Sequence, residues 1–378
     1  MSRHAYDGAL GRRVCLPLRG WLSRLEHPAD NREVAGSSPA SRTITVGFAP
    51  KEHEQPPTTH QQAELMVVLS GSNAEIMAKQ LAGELNWSHF SIETRRFPDT
   101  EGYIRIPDEV IESIRTEPVV LVSNTFPDSG IIETLLMLEA INDVRTGNLQ
   151  NLREIGPQSL DDVGPGVLLA IPYFGYSRQD KRFRPGEAVS ARAIANLLAS
   201  RCDGIIVFDL HAPKVLEGLS VPVAFTSAMP ELAEHLQKDI KPDFILSPDK
   251  GAIERASEVA NEIGCQFSYL EKTRIDAHTI VHKAKDLEVE GKVVAIVDDM
   301  IATGGTICRA ADALRSQGAV QVHAACSHGL FTGGAVARLV RYVDGVHATS
   351  SLANPRDVIP GGPALARGVK ELFTVLNW

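Results

Sequence analysis

The sequence predicts an α/β protein with two doubly wound domains, each built on a parallel sheet. Short apolar runs rich in β-branched residues, which are typical of strands buried on both faces, alternate with segments that have helical spacing. The same alternation occurs in both halves of the chain, and most of the apolar runs end in polar residues. Because open α/β sheets bind ligands at the carboxyl ends of their strands, these polar ends are the candidate functional positions.

Composition disfavours several classes of protein. The chain has 378 residues, which is enough for two domains with substantial cores. Its 47 acidic and 38 basic residues give a net charge of −9, which argues against a general nucleic-acid binder. No apolar run approaches the ~20 residues of a membrane-spanning helix, so we expect no membrane partner. The five cysteines lie far apart without a CxxC pair, which predicts reduced thiols in a cytoplasmic protein.

The first residues of the chain differ from the rest. Residues 1–62 are rich in Arg, Ser, Pro and Gly and lack periodic apolar positions, so they cannot bury enough surface to offset chain entropy. We therefore predict a disordered N-terminal extension. The alternating pattern that follows divides into an N-terminal domain at 63–228 and a C-terminal domain at 229–378.

The N-terminal domain begins with an apolar strand in LMVVLSGSNA. The elements predicted after it are a helix over Glu75–Leu85 with Ile76, Leu81 and Leu85 on its apolar face, strands over 103–106, 118–123 and 166–171, helices over 131–144 and 189–199, and a last strand in IIVF. Residues 145–166 contain Gly and Pro without periodicity, which indicates a surface loop.

Two polar segments of this domain are candidates for binding. Phe97, Asp99 and Glu101 precede a strand, and their residue types alone indicate no more than a turn. The segment PYFGYSRQDKRFRPGEAVSARA, in contrast, interleaves five cationic side chains with aromatic ones in a net-acidic protein. Such a mixture suits a polyphosphate with a stacked base, because guanidinium groups neutralise phosphates and rings cover a purine. A solvated run of charges is the other interpretation.

Polar residues also end the next strands. Asp209 and His211 follow IIVF, and a histidine there is either a hydrogen-bonded core residue or a ligand for metal or phosphate. Asp249 and Lys250 lie between the strand FILS and a helix over Ile253–Ile263. The other predictions for this half are Lys272 and Arg274 in a polar loop, a strand in VQVHAACSHGLF, a helix over 335–342, and closing strands over 346–349 and 372–375.

The segment KVVAIVDDMIATGGTICRA, residues 292–310, is the centre of the C-terminal domain. Its apolar strand, 293–297, is predicted to stop at Asp298 and Asp299, beyond which both carboxylates can face a ligand. A small-residue turn and a helix over 307–316 follow, so that backbone N–H groups and the positive end of a helix dipole converge. We interpret this as a phosphate site with carboxylates for vicinal hydroxyls, which suits ribose 5-phosphate. An ordinary strand-to-helix turn is the alternative.

Six motifs occur in the order RFPDTEGYIRI, PYFGYSRQDKRFRPGEAVSARAIA, DLH, SPDKGA, EKTR and VDDMIATGGT. As an ordered set they resemble ribose-phosphate diphosphokinase, which makes phosphoribosyl pyrophosphate (PRPP), and look most like its archaeal-type branch. The resemblance implies two phosphoribosyltransferase-like domains side by side. It also implies transfer of the diphosphoryl group of MgATP to the anomeric hydroxyl of ribose 5-phosphate, with Mg²⁺ as cofactor and a homo-oligomer, at least a dimer, as the active form.

The same resemblance implies roles at the matching positions. The implied ATP-binding residues are Phe97, Asp99, Glu101, Arg178, Gln179, Asp180 and Arg182, of which the first three reach the ATP of a neighbouring subunit. The implied ribose 5-phosphate-binding residues are Asp298, Asp299, Thr303, Gly304, Gly305 and Thr306. The implied metal ligands are His211 and Asp249, and the implied catalytic residues are Lys272 and Arg274, on a loop that closes over the substrates. Thr100 departs from the family pattern, which usually has Gly at that position.

Two other functions compete with this one. A phosphoribosyltransferase that consumes PRPP would account for the VDDMIATGGT segment, but it leaves the cationic cluster around Arg178 without a role. A non-catalytic member that regulates a partner is the second, and the presence of Lys272, Arg274, His211 and Asp249 argues against it.

Overall fold

The computed structural model describes residues 66–147, 166–274, 280–283 and 287–378. The extension predicted at 1–62 and most of the loop predicted at 145–166 lie outside these residues. Within them the predicted fold class is confirmed, because the chain forms two six-stranded sheets whose neighbouring strands all run parallel.

The strands, in chain order, are β1 (Val67–Ser70), β2 (Ser88–Ser91), β3 (Glu93–Arg96), β4 (Gly102–Arg105), β5 (Val119–Val122), β6 (Val167–Ile171), β7 (Gly204–Phe208), β8 (Val223–Thr226), β9 (Phe244–Ser247), β10 (Gln266–Tyr269), β11 (Glu271–Arg274), β12 (Ile280–Lys283), β13 (Val293–Ile301), β14 (Gln321–Gly329), β15 (Gly345–Thr349) and β16 (Asp357–Ile359). The first sheet has the order β2-β1-β5-β6-β7-β8 and the second β10-β9-β13-β14-β15-β16. β3 pairs with β4, and β11 with β12, as antiparallel hairpins.

The α-helices are α1 (Glu75–Leu85), α2 (Ile111–Thr116), α3 (Asp128–Arg145), α4 (Ser190–Ala199), α5 (Met229–His235), α6 (Ile253–Ile263), α7 (Gly305–Ser316), α8 (Ala335–Leu339) and α9 (Gly362–Leu376). The inner strands of the first sheet are buried at every position, which is why their sequences are continuous apolar runs. α1 has the predicted bounds, but its buried face is formed by Met77, Ala78, Leu81 and Ala82, and Ile76 is exposed.

One apolar core extends across both sheets. It contains Val68 and Ile206 from the first sheet together with Ile245 and Ala295 from the second. Helices α1, α5, α6 and α9 contribute the side chains between them. Because this core is continuous, the carboxyl ends of strands from both sheets are held in a fixed relation to one another. Two further cores cover the outer faces of the two sheets.

The prediction of a closing strand over residues 372–375 is wrong. These residues belong to α9, which packs on α1 and on the first-sheet strands β7 and β8. Leu365, Val369 and Leu372 are buried at helical spacing. Pro363 lies in the first turn of the helix, where a proline is well tolerated. A short apolar run at the end of the chain does not by itself distinguish a strand from a buried helix face.

Two smaller expectations concern membrane-spanning segments and cysteine thiols. In the part of the chain that the structure describes, no helix has the length and apolar character needed to cross a membrane. Cys202, Cys265, Cys308 and Cys326 are free, as predicted from their spacing.

Candidate active site

A cleft of about 760 Å³ lies at the carboxyl ends of strands from both sheets. Arg178 and His211 line it from the first sheet, following β6 and β7. Residues after β9 and at the end of β13 line it from the second sheet. The second-sheet lining residues are Asp249, Lys250, Gly251, Ala252, Arg255, Asp298, Asp299, Met300, Ile301, Ala302, Thr303, Gly304, Gly305, Thr306 and Ile307. The structure therefore brings together the predicted sugar site, both predicted metal ligands and one predicted ATP ligand.

The predicted phosphate loop, residues 303–306, connects β13 to α7 at the wall of this cleft. Gly304 has φ +73°, a left-handed conformation that favours glycine, and a Cβ there would lie 2.9 Å from Leu339 Cγ. Any substitution of Gly304 would therefore have to displace the buried side chain of Leu339. α7 begins directly at Gly305, so its N-terminal N–H groups and dipole face this end of the cleft.

The strand before the loop is longer than predicted. It was expected to stop at residue 297, but β13 continues through both aspartates to Ile301, because it pairs with β14 along its length up to Ile301 and Gly329. Successive side chains leave a strand on opposite sides, so Asp298 and Asp299 have different surroundings. Asp298 is half-buried, whereas Asp299 is 4 % exposed.

The two carboxylates also differ in charge. Burial, and then the negative charge of Asp299, raise the pKa of Asp298 well above its ordinary value. Burial would also raise the pKa of Asp299, but the hydrogen bond from His211 and the charge of Arg255 outweigh it and lower that pKa to about 2. Asp299 is therefore the fixed anion of the pair.

His211 holds Asp299 from the opposite side of the cleft. Its Nδ1 donates to Asp299 Oδ2 over 2.6 Å, and this bond raises the pKa of His211 above its ordinary value. Arg255 lies on α6 with one Nη 3.8 Å from the same oxygen, and it donates to the carbonyl of Leu210 over 3.3 Å. These contacts join a first-sheet strand end to a second-sheet strand end. Sequence reasoning missed Arg255, because an arginine in the first turn of a helix has no distinguishing pattern.

A buried polar network beside the cleft strengthens the same junction. Asp209, with φ +43°, follows β7, and its carboxylate accepts bonds from Ser327 Oγ at 2.5 Å and from the Ala228 amide at 2.9 Å. His328 Nε2 lies 3.3 Å from the Asp209 carbonyl. These bonds connect the first sheet to β14, so Asp209 is a structural residue of the junction and His211, two positions later, is the one that lines the cleft.

The second predicted metal ligand has a local structural contact as well. Asp249 follows β9, lines the cleft, and accepts a hydrogen bond from the Gly251 amide at 2.8 Å. Among the described residues, no three side chains of His, Cys, Asp or Glu are placed to hold a metal ion by themselves. Any cation in the cleft would therefore take part of its coordination from water or a ligand.

Arg178 is separated from its predicted partners in the cationic segment. It lines the cleft, whereas Gln179, Asp180 and Arg182 are not among the residues that line it. Arg182 Nε donates to the Glu187 carbonyl over 2.9 Å, which keeps the segment folded on itself. Asp180 is close enough to contribute to the raised pKa of His211, after the larger effects of Asp299.

Phe97, Asp99 and Glu101 lie in the turn between β3 and β4, not in the cleft. Phe97 is 42 % exposed, and its ring contacts Tyr103 edge-on with the ring centroids 6.0 Å apart. Thr100, the position at which the motif departs from the family that it resembles, has φ +76°. The turn thus retains the left-handed geometry that glycine favours while carrying a β-branched residue.

Lys272 and Arg274 were predicted in a loop, but their backbones lie in β11, opposite His282 and Ile280 of β12. The segment is therefore extended and pairs with the chain that returns after it, and its closure over the substrates stays a prediction. Their side chains lie outside the described residues.

Comparisons with known proteins identify similar chains over most of this length. Residues 224–345 match the family model described as phosphoribosyl transferase domain, and residues 166–201 match the N-terminal domain of ribose phosphate pyrophosphokinase. Ribose-phosphate pyrophosphokinase from Methanopyrus kandleri is 36 % identical over 311 residues, which are 81 % of this chain and 99 % of that protein. The protein of the same name from Methanothermobacter thermautotrophicus is 37 % identical over 308 residues, 81 % of this chain and 100 % of that protein. The crystal structure of phosphoribosylpyrophosphate synthetase from Mycobacterium smegmatis superposes with a TM-score of 0.65 at 26 % identity, covering 82 % of this chain and 99 % of that one.

Proposed function

The chain belongs to the ribose-phosphate pyrophosphokinase family, and we propose that its two-sheet cleft is the site at which ATP and ribose 5-phosphate react. The reaction transfers the β,γ-diphosphoryl group of ATP to the anomeric hydroxyl of ribose 5-phosphate. The bond between the sugar O1 and the β-phosphorus forms as O1 loses its proton to solvent, the bond from that phosphorus to the α,β-bridging oxygen breaks, and AMP leaves. The observation that carries the proposal is the convergence of a phosphate loop and paired aspartates with Arg178 and His211 in one cleft.

Ribose 5-phosphate would occupy the second-sheet side. The amides of the phosphate loop and the N-terminus of α7 suit its 5-phosphate, since both present donors and partial positive charge to an anion. Asp298 and Asp299 would accept hydrogen bonds from the sugar hydroxyls. Asp299 is preorganised for this, because His211 and Arg255 fix its position before any ligand arrives.

ATP would occupy the first-sheet side. Arg178 reaches the cleft from this side, and Gln179, Asp180 and Arg182 follow it in the same segment. Phe97, Asp99 and Glu101 lie on a separate hairpin and would contact the adenine of a neighbouring subunit, which makes the active form at least a dimer. The exposure of Phe97 supports this assignment, because an aromatic side chain at the surface is accessible to a base of a second molecule.

The cleft has a donor set that fits Mg²⁺ as the cofactor. Mg²⁺ keeps several waters and takes one or two protein ligands together with substrate phosphates, so a three-residue cluster is not required. Asp249 and His211 would hold it: His211 uses Nδ1 on Asp299, which leaves Nε2 for a ligand. The bond to Asp299 raises the pKa of His211 and so favours its protonated form, and a metal bound at Nε2 would compete with that proton. When bound, the ion would neutralise phosphate charge and help to orient the diphosphoryl group.

The protein's own contribution is positioning and electrostatic stabilisation. Holding both substrates in one cleft aligns the sugar oxygen with the β-phosphorus, which removes much of the entropic cost of their encounter. Phosphoryl-type transfer needs little further covalent chemistry from side chains, and cations stabilise the charge that develops on the moving group. Lys272 and Arg274 would supply part of that charge from the β11–β12 hairpin.

A coupled assay for AMP tests the proposal. Purified protein with ATP, ribose 5-phosphate and Mg²⁺ should form AMP and PRPP in equal amounts, and omission of either substrate should stop both. Consumption of added PRPP with a purine base, without AMP formation from ATP, would instead identify a phosphoribosyltransferase. Absence of both reactions in a folded sample would favour a non-catalytic family member.

A further inference from the structure

The phosphate loop is held from behind by the chain that follows β14. Three successive carbonyl groups before and within the loop accept hydrogen bonds from this segment. The Ile301 carbonyl accepts from the Phe331 amide at 3.0 Å, and the Ala302 carbonyl accepts from the Thr332 amide at 3.0 Å. The third, the Thr303 carbonyl, accepts from Arg338 Nη1 at 2.6 Å. We call residues 331–339 the brace.

These bonds determine which backbone groups the loop offers to an anion. A peptide carbonyl that faced the cleft would repel a phosphate, whereas an amide N–H attracts it. By binding three consecutive carbonyl oxygens, the brace holds the negative ends of these peptide dipoles on its own side. The same bonds satisfy polar groups that would otherwise lie unpartnered at a bend in the chain.

Packing adds to the hydrogen bonds. Leu339 is buried and lies against the face of Gly304 that a Cβ would occupy. Its neighbour Arg338 is exposed at the surface, and its second Nη lies 3.4 Å from the Gly333 carbonyl within the brace. Of the three donors to the loop, two are backbone amides and one is a side chain. Arg338 is therefore the donor that a substitution can remove while the backbone contacts are retained.

We propose that Arg338 is a positioning residue for ribose 5-phosphate, which holds the Thr303 carbonyl away from the cleft and so keeps the loop in its anion-binding form. The proposal rests on the proposed function, because it assumes that the 5-phosphate binds at residues 303–306. Arg338 acts through the loop and not on the reacting atoms. Its loss should therefore weaken sugar binding while it affects ATP binding and the transfer step little.

The test compares Arg338→Met, which keeps the length of the side chain without a donor, with Arg338→Lys, which keeps a charged donor. Arg341→Met is the matched control, since Arg341 is an exposed arginine three residues further along the same segment. Arg338→Met should raise the Kd of ribose 5-phosphate in calorimetry and its KM in the AMP assay about tenfold, or roughly 1.4 kcal/mol. KM for ATP and kcat should stay within about threefold, and Arg338→Lys should recover part of the loss.

The outcomes separate this inference from the proposed function. If the wild-type protein forms no AMP, the proposed function fails and the inference fails with it. If the wild-type protein is active and Arg338→Met binds ribose 5-phosphate as tightly as Arg341→Met does, only the inference is overturned. Equal losses for both substrates, accompanied by a lower Tm, would likewise overturn it, because they would indicate general damage to the fold.

Discussion

Replacing each of the two adjacent aspartates with asparagine should have opposite consequences for stability. Asn keeps the size of the side chain and one acceptor oxygen, so the change mainly removes a charge. At Asp299 that charge is buried and bound by His211 and Arg255. At Asp298 the charge is disfavoured, as its raised pKa indicates.

The size of the effect follows from the pKa values. The pKa of Asp299 falls from 3.8 to about 2 in the folded protein. A shift of this size corresponds to about 2 kcal/mol of stability, which is present above the unfolded pKa and is lost as pH falls through the folded one. Asp299→Asn should therefore cost about 2 kcal/mol at neutral pH, with His211 and Arg255 left without their carboxylate. Asp298→Asn should instead raise the free energy of unfolding, because it removes a disfavoured charge while the Asn oxygen can still accept the Asp299 amide.

Urea denaturation at neutral pH measures both values, and calorimetry with ribose 5-phosphate and with ATP measures function on the same samples. Both variants should lose affinity for the sugar and largely keep affinity for ATP. The stability difference between wild type and Asp299→Asn should shrink as pH is lowered from about 4 towards 2. Equal destabilisation by the two substitutions would refute the assignment of Asp299 as the fixed anion, and a collapse of ATP affinity with sugar affinity preserved would reverse the assignment of the site.

Three other perturbations test separate parts of the molecule. Lys272→Ala should lower kcat by roughly 100-fold, about 2.7 kcal/mol, with much less effect on KM, and steady-state kinetics that show a loss confined to KM would contradict a catalytic role. Mixing inactive Phe97→Ala with inactive Arg178→Ala chains should restore part of the activity through hybrid sites, whereas no recovery after demonstrated subunit exchange would place the site within one chain. His347 lies between the imidazoles of His235 and His323. Burial is the main cause that lowers its pKa to about 4, and the charges of these two neighbours add to it. Stability should therefore fall by about 2 kcal/mol as pH drops from about 6.5 to 4, and His347→Gln should flatten that part of the curve measured by thermal denaturation.

The sequence predicted most elements of the two sheets because strands buried on both faces are short continuous apolar runs. The runs that became β5, β6 and β7 contain no polar side chain, and the bounds predicted for α1 and α6 agree with the structure. Residues 372–375 were mistaken for a strand because their apolar character reflects burial, which α9 achieves by packing against the first sheet. Local pattern reports burial more reliably than it reports which element is buried.

The candidate site was predictable where one stretch of chain forms it, and unpredictable where distant stretches meet. The phosphate loop needs a glycine, a turn and a helix start, all of which lie within a few residues. Arg255 and Arg338 both contact groups from other elements. Arg255 lies near the Asp299 carboxylate, which His211 also binds, and Arg338 donates to the Thr303 carbonyl. Neither position has a pattern of its own, because any exposed helix carries arginines.

The extension of β13 through both aspartates changes how the pair should be understood. Had the strand ended at residue 297, both carboxylates could have turned to the ligand as equivalent acceptors. Because the strand continues, they emerge with different neighbours, and Asp299 becomes the residue through which the two halves of the cleft are joined. A ligand that bonds to Asp299 therefore binds a group whose position depends on a first-sheet histidine. Movement of one sheet relative to the other would displace Asp299 through the His211–Asp299 bond, so the geometry of the proposed sugar site depends on the same junction as the proposed ATP side.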